Sequence, residues 1–253
     1  MTRLRAENYR TGKYWTHGIQ LVEGCTEVDA TCAHCWSRQM AARLGRQGVV
    51  DGQWTTVRAN PKALERLQVT GYKRRPRVWS AWNDLLHEAL EWKDTFAPLS
   101  RMRYLPDDRL IVLTKRAERL RQFVRELTRP LPANVAFGVS FGQRVNMDRW
   151  ATLASLPGLT RIVSVEPLIE PMDLSAVVSA DGPDWVIVGA ETGSQRRRCD
   201  EEWAKAIVDQ CTQAGVPAWV KGLQIAGRVV HDNQDREWPD WAVRQVPEWL
   251  EGE

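Results

Sequence analysis

The sequence has no run of eighteen apolar residues, so no segment reads as a transmembrane helix. Its opening, MTRLRAENYR, lacks the apolar stretch of a secretory signal, and a cytoplasmic location is expected. Cysteine is scarce: five residues in 253, an odd number in a chain long enough to bury its own core. A disulfide scaffold is therefore a poor fit, and reduced thiols are the default. There is no internal repeat and no low-complexity tract. Phe and Tyr number only four each, against thirteen Trp. With 43% hydrophobic and 26% charged residues the composition is that of an ordinary globular protein, and the length suits a single α/β barrel.

The net charge is also small, +3, but it conceals an asymmetry. Residues 1 to 150 carry 26 Lys/Arg against 15 Asp/Glu, and residues 151 to 253 carry 9 against 17. A basic half suggests a phosphate-bearing partner, a nucleotide or nucleic acid; its structural counterpart is a solvated basic surface beside an acidic one. The densest basic cluster is Lys73 to Arg77 (KRRPR), in the irregular stretch from Gln47 to Arg77.

Short β-rich apolar runs read as strands at Ile19 to Val22, Arg77 to Trp82, Leu110 to Thr114, Val135 to Ser140, Arg161 to Val165, Trp185 to Gly189 and Ala218 to Lys221. Helical periodicity lies between them. Arg116 to Leu127 places Leu120, Phe123, Val124 and Leu127 on one face, and Glu201 to Ala214 places Trp203, Ile207, Val208 and Cys211 on another. Gly215 followed by Pro217 is a helix stop. Alternating strand and helix implies parallel strands covered by helices, either an open doubly wound sheet or a full or partial TIM-like (β/α) barrel. The expected organisation is one barrel domain over residues 1 to 225 and an acidic, Trp-containing C-terminal appendage over 226 to 253.

In either architecture ligands sit at the C-terminal ends of the strands. Polar residues collect there: Cys25, Asn83, Asp84, Thr114-Lys115-Arg116, Ser140, Glu166, Glu191-Thr192 and Lys221. Glu166 and Glu191 follow consecutive strands and could shuttle a proton, or pair with Lys115, Arg116 or Lys221 across the mouth. Lys115 and Arg116 suit a carboxylate or phosphate, with Arg116 the better candidate for a plain surface cation. Lys221 interrupts the apolar AWV run, and a cation leaving a buried strand calls for a partner or a task. Trp36, Trp79 and Trp82 stand beside these motifs as stacking candidates, Trp82 first; Trp185, Trp203 and Trp219 read as core.

The sharpest feature is Gly24-Cys25 to Cys35, a C-x6-C-x2-C spacing. Three thiols within eleven residues are hazardous unless they bind something. A C-x2-C turn brings two sulfurs to one side, and a helix starting near Cys35 favours thiolate. Structural zinc would need a fourth ligand such as His17 or His34. An iron–sulfur cluster on three Cys leaves one iron open. Both remain open at this level, as does a metal-free cluster. Cys211 reads as core and Cys199, after three arginines, as a free thiol in a loop.

The succession GCTEVDATCAHCW, LTKRAERL, VSVEPLIEPMDL, DWVIVGAETG and CTQAGVPAWVK resembles the uncharacterised phage-associated three-cysteine-motif family, whose members look like radical S-adenosylmethionine (SAM) enzymes. The resemblance spans residues 15 to 225. It implies a barrel of radical SAM type, with Cys25, Cys32 and Cys35 holding a [4Fe–4S] cluster and SAM bound at the open iron. It further implies cleavage of SAM to a radical that abstracts hydrogen from substrate, and an electron donor such as flavodoxin or ferredoxin. His34, Ser80, Asn83, Asp84, Lys115 and Ser140 would then contact the cofactor, and Glu166, Glu191 and Lys221 would serve the reaction or the SAM ribose. The first cysteine gap is longer than the three residues usual for radical SAM enzymes, His34 stands at a commonly aromatic position, and Ser80, Asn83 and Asp84 replace a glycine-rich motif. The competing expectations are a non-catalytic zinc protein that interacts with nucleic acid, and a barrel hydrolase using Glu166 and Glu191, which leaves the cysteines without a task.

Overall fold

A computed structural model describes residues 4–45, 48–68 and 76–251. Within them the main sheet has eight strands, β1 His17–Ile19, β2 Val78–Ala81, β3 Arg109–Thr114, β4 Val135–Phe141, β5 Thr160–Val165, β6 Trp185–Gly189, β7 Ala218–Ile225 and β8 Arg228–Val230. They lie side by side in sequence order; β1 to β7 are parallel, and β8 closes a hairpin on β7. A doubly wound sheet would reverse its strand order midway. This one never does, and the result is an α/β fold with a curled half-barrel.

Each strand alternates its burial between two cores. Helix α1 Trp36–Arg43 follows the cysteine loop and lies against the hairpin of residues 49–54, whereas Leu110, Val112, Phe137, Val139, Val163, Val186 and Val220 point to the helices α2 Trp92–Arg101, α3 Ala117–Arg125, α4 Asp148–Ala154 and α5 Glu201–Ala214. α3 answers with Leu120 and Phe123, α4 with Leu153, and α5 with Ile207, Val208 and Cys211. α5 ends at Gly215, whose φ of 69° is the left-handed cap expected there. On the other face Val78, Ile111, Ala136, Ile162, Ile187 and Trp219 form a second core, plugged by Leu4, Tyr9, Tyr14 and Trp15 from one end of the chain and by Val246, Trp249 and Leu250 from the other. The Arg244 guanidinium fastens these ends together, donating to the carbonyls of Tyr9, Arg10, Val220 and His231.

Two strand readings need correction. The first strand lies over His17–Ile19, because Asn60 takes the next carbonyls, Gln20 through its side-chain amide at 3.1 Å and Leu21 through its backbone N–H at 2.8 Å. Val22–Glu23 then pairs antiparallel with Arg58–Ala59 outside the main sheet. The last parallel strand does not stop at Lys221 but runs to Ile225 and turns through Ala226 and Gly227 into β8, so the residues after Ile225 begin as sheet. Trp238 and Trp241 pack on the helix-side core and Trp249 on the inner one. Lys73, Arg74 and Arg75 of the basic cluster lie outside the described residues. Among the described residues no helix is long and apolar enough to cross a membrane.

Gly142, just past β4, carries a packing constraint. A Cβ there would stand 1.7 Å from the Pro167 carbonyl oxygen and 3.3 Å from Thr31 in the cysteine loop. Gly142→Ala is expected to cost about 1–3 kcal/mol in urea denaturation, as overpacking against backbone does; an unchanged midpoint would contradict this contact.

Candidate active site

Along four strands the inward-facing positions change from apolar to polar towards the C-terminal end: Val78 gives way to Ser80, Ala136 to Ser140, Ile162 to Ser164 and Glu166, and Trp219 to Lys221. These residues form the inner wall of a cavity of about 250 Å³, roofed by the segment Cys25 to Ser37. All three clustered cysteines line it and all are partly exposed.

The six-residue first gap is a braced loop. The Thr26 hydroxyl meets His87 Nε2 at 2.9 Å and Arg116 Nη2 at 2.8 Å. Glu27 ion-pairs with Arg38 of α1, whose guanidinium also donates to Gln53. Asp29 caps the turn Ala30–Cys32 by accepting from the Thr31 N–H at 2.7 Å, and pairs with Arg149 of α4 at 2.6 Å. Thus the residues of this gap fix the loop to three neighbouring elements.

Arg116, expected on the surface, is buried with 5% of its side chain exposed. It donates to Asp84 at 3.0 Å, Glu88 at 2.7 Å and the Thr26 carbonyl at 3.1 Å, and its Nη1 lies 3.8 Å from Cys25 Sγ. Burial pushes the Cys25 thiol up to about 11, with Asp84 adding to the rise and Arg116 opposing it. Asp84 also accepts from the Thr114 hydroxyl and the N–H groups of Leu86 and Lys115. Asn83, in a left-handed conformation (φ 61°), accepts from Ser37 and donates to the Val22 carbonyl. Both residues line the cavity, and their bonds also tie the cysteine loop to the sheet, Asn83 through Ser37 and Asp84 through Arg116.

Glu191 does not pair with Lys115, Arg116 or Lys221. Its partners are Arg197, bidentate and with an additional backbone N–H, and His34 Nδ1 at 3.1 Å. Arg197 also donates to the Ala30 carbonyl at 2.7 Å, so this cluster clamps the second cysteine turn. Burial raises the Glu191 pKa, but the Arg197 and His34 contacts outweigh it and hold the carboxyl below its usual range. This makes Glu191 an anchored anion at the cavity mouth. Asp29 behaves alike, burial being overcome by Thr31 and Arg149.

A carboxylate with a lowered folded pKa gives stability that is complete above its unfolded value, about 4.3 for Glu and 3.9 for Asp. That stability is lost as pH falls through the folded value. Glu191→Gln is therefore expected to lose less stability than the wild type between neutral and strongly acidic pH, measured by urea denaturation at each; parallel acid limbs would argue against the clamp.

Glu166 and Lys221 do pair, Oε1 to Nζ at 2.9 Å. Ser164 donates to the second Glu166 oxygen at 3.3 Å. Lys221 occupies a bulge, opposite the step between Val188 and Gly189, and its ammonium lies 5.8 and 5.7 Å from the ring centroids of Tyr14 and Trp15. Tyr14 is buried; desolvation, reinforced by Glu166, holds its phenol well above the usual range, with Ser80 as side-chain partner. Lys115 donates to Ser140 at 3.1 Å and, among the described residues, has no carboxylate in ion-pair range. Trp82 lines the cavity edge-to-face with Trp36, ring centroids 5.2 Å apart. Trp79 does not reach it: it is 1% exposed, in the helix-side core, with its indole N–H on Asp108. Sequence reasoning missed Tyr14, Trp15 and Arg197, which precede β1 or sit in a loop whose only signal is its run of arginines.

The chain was compared with known protein families, and a family described as "Protein of unknown function (DUF5131)" matches over residues 11–246. The chain belongs to this family. No curated protein and no solved structure matches it. In this DUF5131 member, residues 11–246 take in the whole half-barrel and every cavity residue described above.

Whether the thiols suit a metal group depends on how they are spread. Among the described residues no three His, Cys, Asp or Glu converge closely enough to hold a metal ion. The donor set itself, three thiols on one loop lining one cavity, is chemically that of an iron–sulfur ligand set, in which each thiolate meets a different iron. Arg116 near Cys25 and Arg197 near Cys32 are cations placed to offset the negative charge that such a group gathers. Cys199 and Cys211 lie in the core, and burial pushes both thiols up to about 12, which leaves them inert.

Proposed function

We propose that this protein is a radical SAM-type enzyme in which Cys25, Cys32 and Cys35 hold a [4Fe–4S] cluster over the half-barrel cavity, with SAM and substrate beneath it. The observation that carries the reading is the arrival of three partly exposed thiols, from one braced loop, at the C-terminal mouth of a parallel sheet. When bound, cluster and SAM supply one-electron cleavage of the sulfonium and a carbon radical able to abstract hydrogen. The electron would come from a flavodoxin- or ferredoxin-like donor in the cytoplasm. The phage association rests on the resemblance alone.

The chain's own residues bind, orient and exclude. Lys115, held by the Ser140 hydroxyl, which itself donates to the Glu166 carbonyl, offers a cation to the SAM carboxylate. Trp82 and Trp36 give a stacking wall for a planar ring. His34, fixed by Glu191, presents its ring to the same space. The apolar plug of Tyr14, Ile111, Ile162 and Trp219 closes the floor, which keeps water from a reactive intermediate. The excess of cations in the first 150 residues favours a nucleotide or nucleic-acid base as substrate.

Anaerobically purified protein is expected to be brown, absorbing at about 400 nm, and to form 5′-deoxyadenosine from SAM under reduction. Colourless protein with one zinc per chain would overturn the reading.

A further inference from the structure

Glu166 and Lys221 form a donor–acceptor couple on the cavity floor to which the cofactor contacts proposed above give no part. The carboxylate is 14% exposed and the ammonium 26%, so each faces the cavity with hydrogen-bonding capacity to spare. Lys221 has three N–H donors and spends one on Glu166; Glu166 Oε2 accepts from Ser164 alone, at a long 3.3 Å. The couple is also held in place. Gly189 leaves the slot for the carboxylate, since a Cβ there would lie 2.8 Å from Glu166 Oε1. The bulge turns Lys221 inward, and Tyr14 and Trp15 flank its ammonium.

The chemistry of the couple selects its ligand. As a neutral pair it attracts neither a free anion nor a free cation strongly, because binding either would break the existing ion pair. What it complements is a neutral edge carrying an acceptor beside a donor: C=O next to N–H. The aromatic pairs that line the same cavity, Tyr14 with Trp15 and Trp36 with Trp82, call for that edge to belong to a flat ring. We propose that Glu166 and Lys221 read the lactam edge of a nucleobase, Lys221 donating to its carbonyl and Glu166 accepting from its ring N–H. This rests on the reading of the cavity as the active site and names its substrate class. The couple lies beneath the cysteine loop, so the base enters as a free nucleoside or extruded from a strand.

The test is calorimetric titration of the full chain, without reductant or SAM, with guanosine, inosine, uridine and adenosine, and with forms methylated on the ring nitrogen of the lactam. At least one lactam nucleoside is expected to bind, its N-methyl form about tenfold or more weakly, as loss of a paired base-edge contact dictates. Glu166→Gln and Lys221→Met are expected to weaken binding to a similar extent. The methylated ligand tests the same contact in unaltered protein, so a variant that fails to fold leaves the result intact. Absence of lactam nucleoside binding, equal affinity for the methylated form, or binding limited to adenosine and displaced by SAM would each overturn the proposal. None of these touches 5′-deoxyadenosine formation, and failure of that reaction would leave the titration standing.

Discussion

Arg116→Met is expected to destabilise the protein by about 3–5 kcal/mol, the usual loss when one member of a buried ion pair is removed. Asp84 would keep the Thr114 hydroxyl and two N–H groups, but it would lose its counter-charge in a site where its side chain is only 8% exposed. The same substitution releases Thr26 and the Nη1 contact to Cys25, so the cysteine loop should loosen as stability falls. Urea denaturation measures the first effect. A double-mutant cycle with Asp84→Asn isolates the pair: Arg116→Met is expected to cost markedly less in the Asp84→Asn background. A loss below about 1 kcal/mol, the range of exposed pairs, would mean that the guanidinium is solvated and its contacts are incidental.

Cys35→Ser is expected to give the opposite pattern, a stable protein that has lost its chemistry. Cys35 is the N-cap of α1, yet its side chain makes no capping bond. Serine is a favoured N-cap, so thermal stability should hold or rise slightly. Iron content, the brown colour and 5′-deoxyadenosine formation should each fall at least about 100-fold, since loss of a ligand exceeds the 10- to 100-fold typical of groups that merely support one. A Cys35→Ser protein that retains full iron and activity would remove Cys35 from the proposed ligand set. The two substitutions thus separate what fixes the loop from what the loop presents.

The sheet and its polar ends were legible in the sequence because they depend on local pattern. Apolar runs such as LIVLT and VAFGVS announce buried parallel strands, and the side chains just beyond them line the cavity. Arg116 was misread because its partners Thr26 and Cys25 lie about ninety residues away, and neither periodicity nor charge reports such a pairing. Glu191 was given the wrong cation for a related reason: Arg197 is six residues along the same loop, and only the loop's return brings it back over the strand end. Tyr14 and Trp15 precede the first strand, where a barrel pattern predicts nothing; they became part of the site because the half-barrel does not close on itself and the chain ends fill the gap.

That gap bears on how the protein is made. Leu250, Trp249 and Val246 share one core with Leu4, Val78 and Ile111, and Arg109 of β3 donates to the Trp249 carbonyl at 2.7 Å. A ribosome that has delivered the first seven strands has therefore not delivered the residues that seal their inner face. The nascent chain must hold an uncovered apolar trough until residues 246–250 have emerged, which makes loss of that segment an aggregation hazard.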